Sequence, residues 1–419
     1  MRNAKTILPI VVGIAVFLFS CSAKKENDCT LRFSWWGTKA REGYTLEGIA
    51  QFESQHPTIK IVPETESWGK YEKSFGEKLL SGECADVMQV NFDWVKKYSK
   101  DGKSFFDLNE LSDYIELYNF TLDDLSYGTF GGKLIAIPIA FNTAIPVFDR
   151  KVLAEHSLAI PSTWNELFQV AKVLKKKDMY AFTLSKRHLF FVAMAWFEQT
   201  HSKRMFSENE TLNMSDEEIG QTFDFVKRLA EEHVIYSMNE GFSLNAMRMK
   251  KVAGAVLWCN ETSLFISEAE KLGGTPVLGN FITTPGATES GWYLKPASLY
   301  AIKKDCRNPK EAALLVNYLL NSQDFALLQQ NEKGVPISNK SLTALMESGK
   351  LESMQYNALM KIRFNNDSIN PMLPIMEENN IILAFADSAF DCIKGEKSKV
   401  DAAREFSEAV RHRNATKGQ

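Results

Sequence analysis

Between residues 31 and 90 short apolar runs alternate with amphipathic stretches, and this order restricts the fold more than any other feature of the chain. Leu31–Trp36 is predicted as a strand and Tyr44–His56 as a helix that Pro57 stops. Ile59–Glu64 follows as a second strand, Gly69–Leu80 as a helix closed by Ser81-Gly82, and Ala85–Val90 as a third strand. Strands separated by helices pair in parallel through right-handed crossovers. The expected class is therefore α/β, with helices flanking mainly parallel sheets.

The pattern continues downstream. Lys133–Phe141 is an apolar strand candidate in which Pro138 argues for an edge or a bend. Thr163 with Glu166, and Ser215 with Glu218, are capping boxes ahead of apolar helical faces. Asn308-Pro309 with Glu311 starts a helix whose buried face would be Ala312, Leu315, Val316, Leu319 and Leu320. Val252–Trp258 is a fully apolar short strand, and Ser298–Ile302 another. From Ser341 onward the pattern predicts helix throughout, ending in a frayed polar tail from Arg411 to Gln419. A chain of 419 residues exceeds what one core usually serves and predicts two domains. No linker separates them, so the chain is expected to cross between lobes.

The first residues address the compartment. Arg2 and Lys5 precede an apolar run, Ile7 to Phe19, that is too short to span a bilayer, which takes about 20 residues. Such a run suits a signal peptide. Cys21, following Ser20, resembles the acylated cysteine of bacterial lipoproteins, which implies a signal over 1–20 and a polar leader over 21–28. Acyl chains hold a protein at a membrane without a spanning helix. The location implied is extracytoplasmic, on the periplasmic side or the cell surface. Net charge is −3, and −5 without Arg2 and Lys5, so no basic field attracts nucleic acid. Cys29, Cys84, Cys259, Cys306 and Cys392 are odd in number and lack CxxC spacing, which fits buried thiols rather than a disulfide framework.

Ligands of open parallel sheets sit beyond the carboxyl ends of the strands. There the first three strands place Trp35-Trp36-Gly37-Thr38, Ser67-Trp68-Gly69 and Asn91-Phe92-Asp93-Trp94. Indole faces stack on the C–H surface of a sugar, and carboxylates and amides take its hydroxyls. Alternation sends one of Trp35 and Trp36 into the core, and Trp94 suits packing against its own helix. The second half offers Trp258-Cys259-Asn260-Glu261, Trp196 at helical spacing, and Gly291-Trp292-Tyr293.

Several motifs resemble the extracellular solute-binding proteins of ABC sugar importers, the group that includes maltodextrin-binding proteins. They are Phe52-Glu53-x-x-His56-Pro57-x-Ile59, Ala85-Asp86-Val87, Gly132-Lys133-Leu134-x-Ala136-x-Pro138 and Val147-Phe148-Asp149-Arg150. Pro161-x-Thr163-Trp164-x-Glu166-Leu167, Gly254–Trp258 and Gly334-Val335-Pro336 complete the series, in order over nearly the whole mature chain. The resemblance implies a two-lobed periplasmic-binding-protein fold of type II that closes on its ligand. Crossovers would lie near Ile139–Asn142, Lys295–Ser298 and Gly334–Ile337. The lobes would then be 29–140 with 297–335, and 141–296 with 336–419. The resemblance also supports ligand roles for Trp36, Gly37, Thr38, Trp68, Asp93, Asn142, Trp258, Asn260 and Glu261. Asn142-Thr143 stands where many relatives carry Glu or Tyr, and the segment around Arg187 and His188 lacks an aromatic-plus-Gly pattern common among them.

The function expected is a non-catalytic, monomeric receptor that needs no cofactor, binds a mono- or oligosaccharide and delivers it to a membrane permease. Trp196 and Trp292 complete the candidate set. A tethered glycoside hydrolase would need two carboxylates about 5–10 Å apart; Glu66, Asp93 and Glu261 are available, but no GxSxG, HExxH or P-loop occurs. A metal receptor is disfavoured because the six histidines are scattered without ligand spacing. A polyamine would need more acids in these loops and a phosphate ester more bases. Lys39, Arg41 and Arg187 leave room for an anionic group, such as that of a sugar acid.

Overall fold

The structure is a computed structural model that describes residues 29–99, 102–236, 242–350, 356–357, 360 and 369–417. The signal segment, Cys21 and the leader lie outside the described residues. β1 (Cys29–Trp36) pairs in parallel with both β2 (Ile59–Glu66) and β3 (Val87–Val90), as the alternation requires. β4 (Thr129–Phe130) and β5 (Lys133–Leu134) form a small separate ribbon. β6 (Ile137–Asp149) is followed by β7 (Tyr180–Thr183), β8 (Val252–Trp258), β9 (Pro276–Leu278), β10 (Tyr293–Ile302) and β11 (Asn370–Pro371). The main sheet runs β2-β1-β3-β10-β6-β8-β7, with β11 on β10 and β9 on β6.

β6 and β10 join the two halves. Ile137–Thr143 of β6 pairs antiparallel with β10, whereas Ala144–Phe148 pairs with β8. Beyond β10, the first half of β6 meets a bridge from Ala140 to Pro336 and accepts from Ile337 N at Ile139 O, and no further strand among the described residues, so Pro138 lies where a missing N–H is tolerated. β8 in turn pairs in parallel with β7.

Alternation sorts the strand residues into layers. Leu31, Phe33 and Trp35 enter a first core with Ala312, Leu315, Val316 and Leu319 of helix Pro309–Asn321. Trp36, Met88 and Val90 face the other side and pack on Tyr71, Phe75 and Trp94. In the second lobe Ala253 and Val256 of β8 join the largest core, while Val252, Ala255 and Leu257 face helix Thr262–Lys271 through Phe265. Burying each large apolar side chain contributes about 1.5–3 kcal/mol. Both expected capping boxes form, at Thr163–Glu166 and Ser215–Glu218.

Core membership switches at several points along the chain. Phe141 is in the first core and Ala144 in the second; Tyr293 is in the second and Leu294 in the first. Val335, Ile337 and Ile369 are in the first core and Met372 in the second. Helix Asn339–Glu347 joins the first core through Leu342 and Leu345, and Ser341 Oγ donates to Leu320 O at 2.6 Å.

Two expectations fail near the C-terminus. The region after Ser341 is not helical throughout, because β11 and a 3₁₀ turn at Pro374–Glu377 interrupt it. Residues 411–417 are not frayed either; they end helix Lys399–Lys417, and Arg413 is buried between Glu210 and Glu378. The five cysteines from Cys29 onward are free thiols, four of them buried.

Candidate functional site

Parallel pairing brings the carboxyl ends of β1, β2 and β3 to one edge, so the loops after them converge. Opposite them stand the end of β8, the first residues of helix Lys186–His201, and the 377–380 segment. The cleft between has a volume of about 510 Å³.

Its first-lobe wall is aromatic. Trp68 starts helix Trp68–Leu80 and meets Trp36 edge-on at 5.0 Å between ring centroids. Trp68 also stacks on Trp94 at 5.4 Å with planes 8° apart. Trp94, expected to serve its own helix alone, both backs this stack and lines the cleft. Trp68 is 40% exposed, an unusual state for an indole, and Trp35 is fully buried. Trp258 lines the second-lobe wall, with Lys295 Nζ 4.8 Å above its ring.

Polar groups lie between the walls. Asn142 sits on β6 just before it changes partners. Its Nδ2 donates to Asn260 Oδ1 at 3.0 Å, and its Oδ1 accepts from Cys259 Sγ at 2.9 Å and Asn260 N at 3.3 Å. Asn142 thereby holds the Cys259–Glu261 turn against the crossover. Asp93 accepts from Asn91 Nδ2 at 2.5 Å. Burial, and then the Glu377 charge, push its carboxyl up to about 6 against the opposing pull of Lys295 and Lys97. Burial likewise raises Glu261, with Lys295 and Arg187 pulling the other way. Lys295 pairs with Glu377 at 2.7 Å, both nearly buried, and Arg187 reaches the same carboxylate at 3.2 Å.

The structure thus gathers Trp36, Trp68, Asp93, Asn142, Trp258, Asn260 and Glu261 around one cleft. The other four expected residues do not line it. Gly37 N donates to Glu66 O at 3.2 Å, and Thr38 Oγ1 accepts from Arg41 N at 3.4 Å as the cap of helix Lys39–Gln55. Both shape the loop without facing the ligand space. Trp196 stacks on Phe225 at 4.4 Å with planes 5° apart, against the second core. Trp292 is 2% exposed in that core, and its Nε1 donates to Ile282 O at 3.0 Å. Neither position follows a strand's carboxyl end, which is why both turn inward.

Lys295 and Glu377 escaped sequence reasoning. A lysine inside the apolar stretch Tyr293–Ile302 was the available signal for the first. Glu377 lay hidden in a stretch predicted as plain helix.

A profile of bacterial extracellular solute-binding proteins matches residues 47–355. The chain belongs to this family. A periplasmic solute-binding protein of Pectobacterium atrosepticum shares 25% identity, covering 93% of this chain and all of that one, with a TM-score of 0.87. A periplasmic oligogalacturonide-binding protein of Yersinia enterocolitica, in complex with saturated digalacturonic acid, shares 26% over 93% of this chain and 100% of its own, with a TM-score of 0.83. A de novo designed cysteine esterase shares 26% over 93% of this chain and 99% of its own, with a TM-score of 0.84. The fold is accordingly the two-lobed one of periplasmic solute-binding proteins. Family membership places the protein's work outside the cytoplasm and among binding proteins. Burial pushes the Cys259 thiol up to about 11. Among the described residues no helix is long and apolar enough to cross a membrane.

Proposed function

We propose that the chain captures a carbohydrate in the cleft, closes on it, and delivers it to the membrane subunits of an ABC importer while anchored through an acylated Cys21. The observation that carries the reading is the facing of the Trp36–Trp68–Trp94 stack and Trp258 across carboxylates and amides. Indoles supply stacking surface, and Asp93, Asn260 and Glu261 supply acceptors for hydroxyls. Closure gains what a ligand earns by touching both lobes instead of one. The binding of digalacturonic acid by the Yersinia relative supports a sugar as ligand. We read the lobes as 29–141 with 294–369, and 144–293 with 372–417, acting as a monomer.

Calorimetry over a panel of mono- and oligosaccharides tests the proposal. Micromolar or tighter binding of at least one, weakened in Trp68→Ala, is the expected result. Binding by none would overturn it.

A second reading has one observation in its favour. A carboxyl raised to about 6, as in Asp93, resembles a general acid, and Glu261 faces the same cleft. Reducing ends released from an oligosaccharide would establish hydrolysis. Unchanged ligand recovered after long incubation is expected.

A further inference from the structure

Behind the first-lobe wall lies a lysine with no use in the cleft as described. Lys333 is 2% exposed, and its Nζ donates to Tyr300 Oη at 2.8 Å while lying 5.1 Å from that ring's centroid. Among the described residues no carboxylate pairs with it. The charge that acts on it is another cation, Arg41, and burial together with that neighbour pushes the ammonium well below the usual lysine range. A buried lysine without a counter-charge gives up its proton, so Lys333 stands as an amine.

Other unmet polar groups stand around the same place. Trp35 Nε1, Arg41 Nε, Gln89 Oε1 and Gln329 Oε1 are buried without hydrogen-bond partners. Gln89 is the register partner of Tyr300, and Trp35 stacks on Phe33, which meets Tyr300 edge-on at 5.8 Å. Gln329 ends the helix that leads into the Lys333 loop. Native proteins leave few such atoms, and a cluster of them points to a missing partner. Arg41 is the charged member and calls for an anionic group, while the two amide oxygens call for donors such as hydroxyls.

The place adjoins the cleft. Arg41 itself lines the cleft, and its Nη2 donates to Glu332 O at 2.5 Å, next to Lys333. Gly334 follows with φ 99°, where a Cβ would lie 2.9 Å from that of Ala140 and 4.0 Å from that of the cleft residue Ala297. Glycine lets the loop backbone pack closely on Ala140, beside the cleft residue Ala297.

We propose that Arg41 and Lys333 form an anion subsite at the first-lobe end of the cleft, and that it takes the carboxylate of an acidic sugar. The proposal rests on the carbohydrate reading and narrows it to uronides. A single carboxylate answers the one full charge of Arg41 and is hydrogen-bonded by the Lys333 amine and the Trp35 indole N–H.

Calorimetry with digalacturonic acid and with neutral galactobiose, on the wild type, Lys333→Met and Arg41→Gln, tests it. The wild type is expected to prefer the acid, and that preference over the neutral sugar to fall by about 10- to 100-fold in each variant. Unliganded Lys333→Met should melt no lower than the wild type, since an apolar side chain replaces a buried amine. Equal wild-type affinity for the two sugars, or a preference that survives both variants, would overturn the subsite and leave the carbohydrate reading standing. A lowered melting temperature with equal losses for both sugars would overturn it too, by making Lys333 structural. Binding of neither sugar by the wild type removes the uronide assignment, and the saccharide panel above then decides the wider reading.

Discussion

Asp93 illustrates how one side chain joins electrostatics to ligand capture. Its folded value of about 6 lies above the ordinary 3.8, so the folded state holds the proton more tightly than the unfolded one. Stability of the unliganded protein should therefore fall as pH rises from about 4 to about 6, and Asp93→Asn should lose that slope in urea titrations. Sugar affinity should move the other way, rising over the same range as the acceptor carboxylate forms. Two tryptophans separate binding from folding equally well. Trp68→Ala should weaken sugar binding by about 1–3 kcal/mol with little change in stability. Trp292→Ala should cost about 3–5 kcal/mol of folding stability by emptying the second core. Stability loss in the first, or normal stability in the second, would contradict these placements. Trp68 and Trp292 were equally plausible platforms in the sequence, because an aromatic beside glycine looks the same whether its loop faces solvent or core.

At the scale of elements, the helix Phe92–Tyr98 reaches across to the other lobe. Lys96 donates to Glu210 Oε1 at 2.5 Å, and Arg413 grips the same residue and Glu378. Burial works to raise Glu210, but Lys96 and Arg413 overcome it and hold the carboxyl below its ordinary range. Arg413→Met would strand buried acids and should cost about 3–5 kcal/mol in denaturant unfolding. Lys96→Met, half-exposed, should cost under about 1 kcal/mol but loosen the lobes, seen as a larger radius of gyration in X-ray scattering. The parallel strands and their helices were legible because each obeys a local rule: an apolar run, a cap, a proline or glycine stop. The crossings were legible only in part. β6 and β10 change partners in mid-strand, and nothing in a strand's own residues marks which neighbour it will pair with. For the same reason the loop clusters after β1, β2 and β3 pointed to the cleft, whereas Lys295 and Glu377, brought there by crossings, did not.

The whole molecule responds to ligand through linkage. A sugar at 100-fold its Kd should stabilise the folded state by about 2.7 kcal/mol, raising the melting temperature, and should shrink the radius of gyration as the lobes close. A ligand that raised the melting temperature without compaction would show binding to one wall alone. The three crossings are themselves register partners: Thr143 pairs with Leu294, and Tyr293 with Asn370. Like aligned knuckles on one pin, they would let the walls swing on closure while resisting sideways slip, since sliding would shear every rung of the ladder. On the proposed function, a longer guest would be admitted by a wider angle, with the same indoles facing the same amides at every setting.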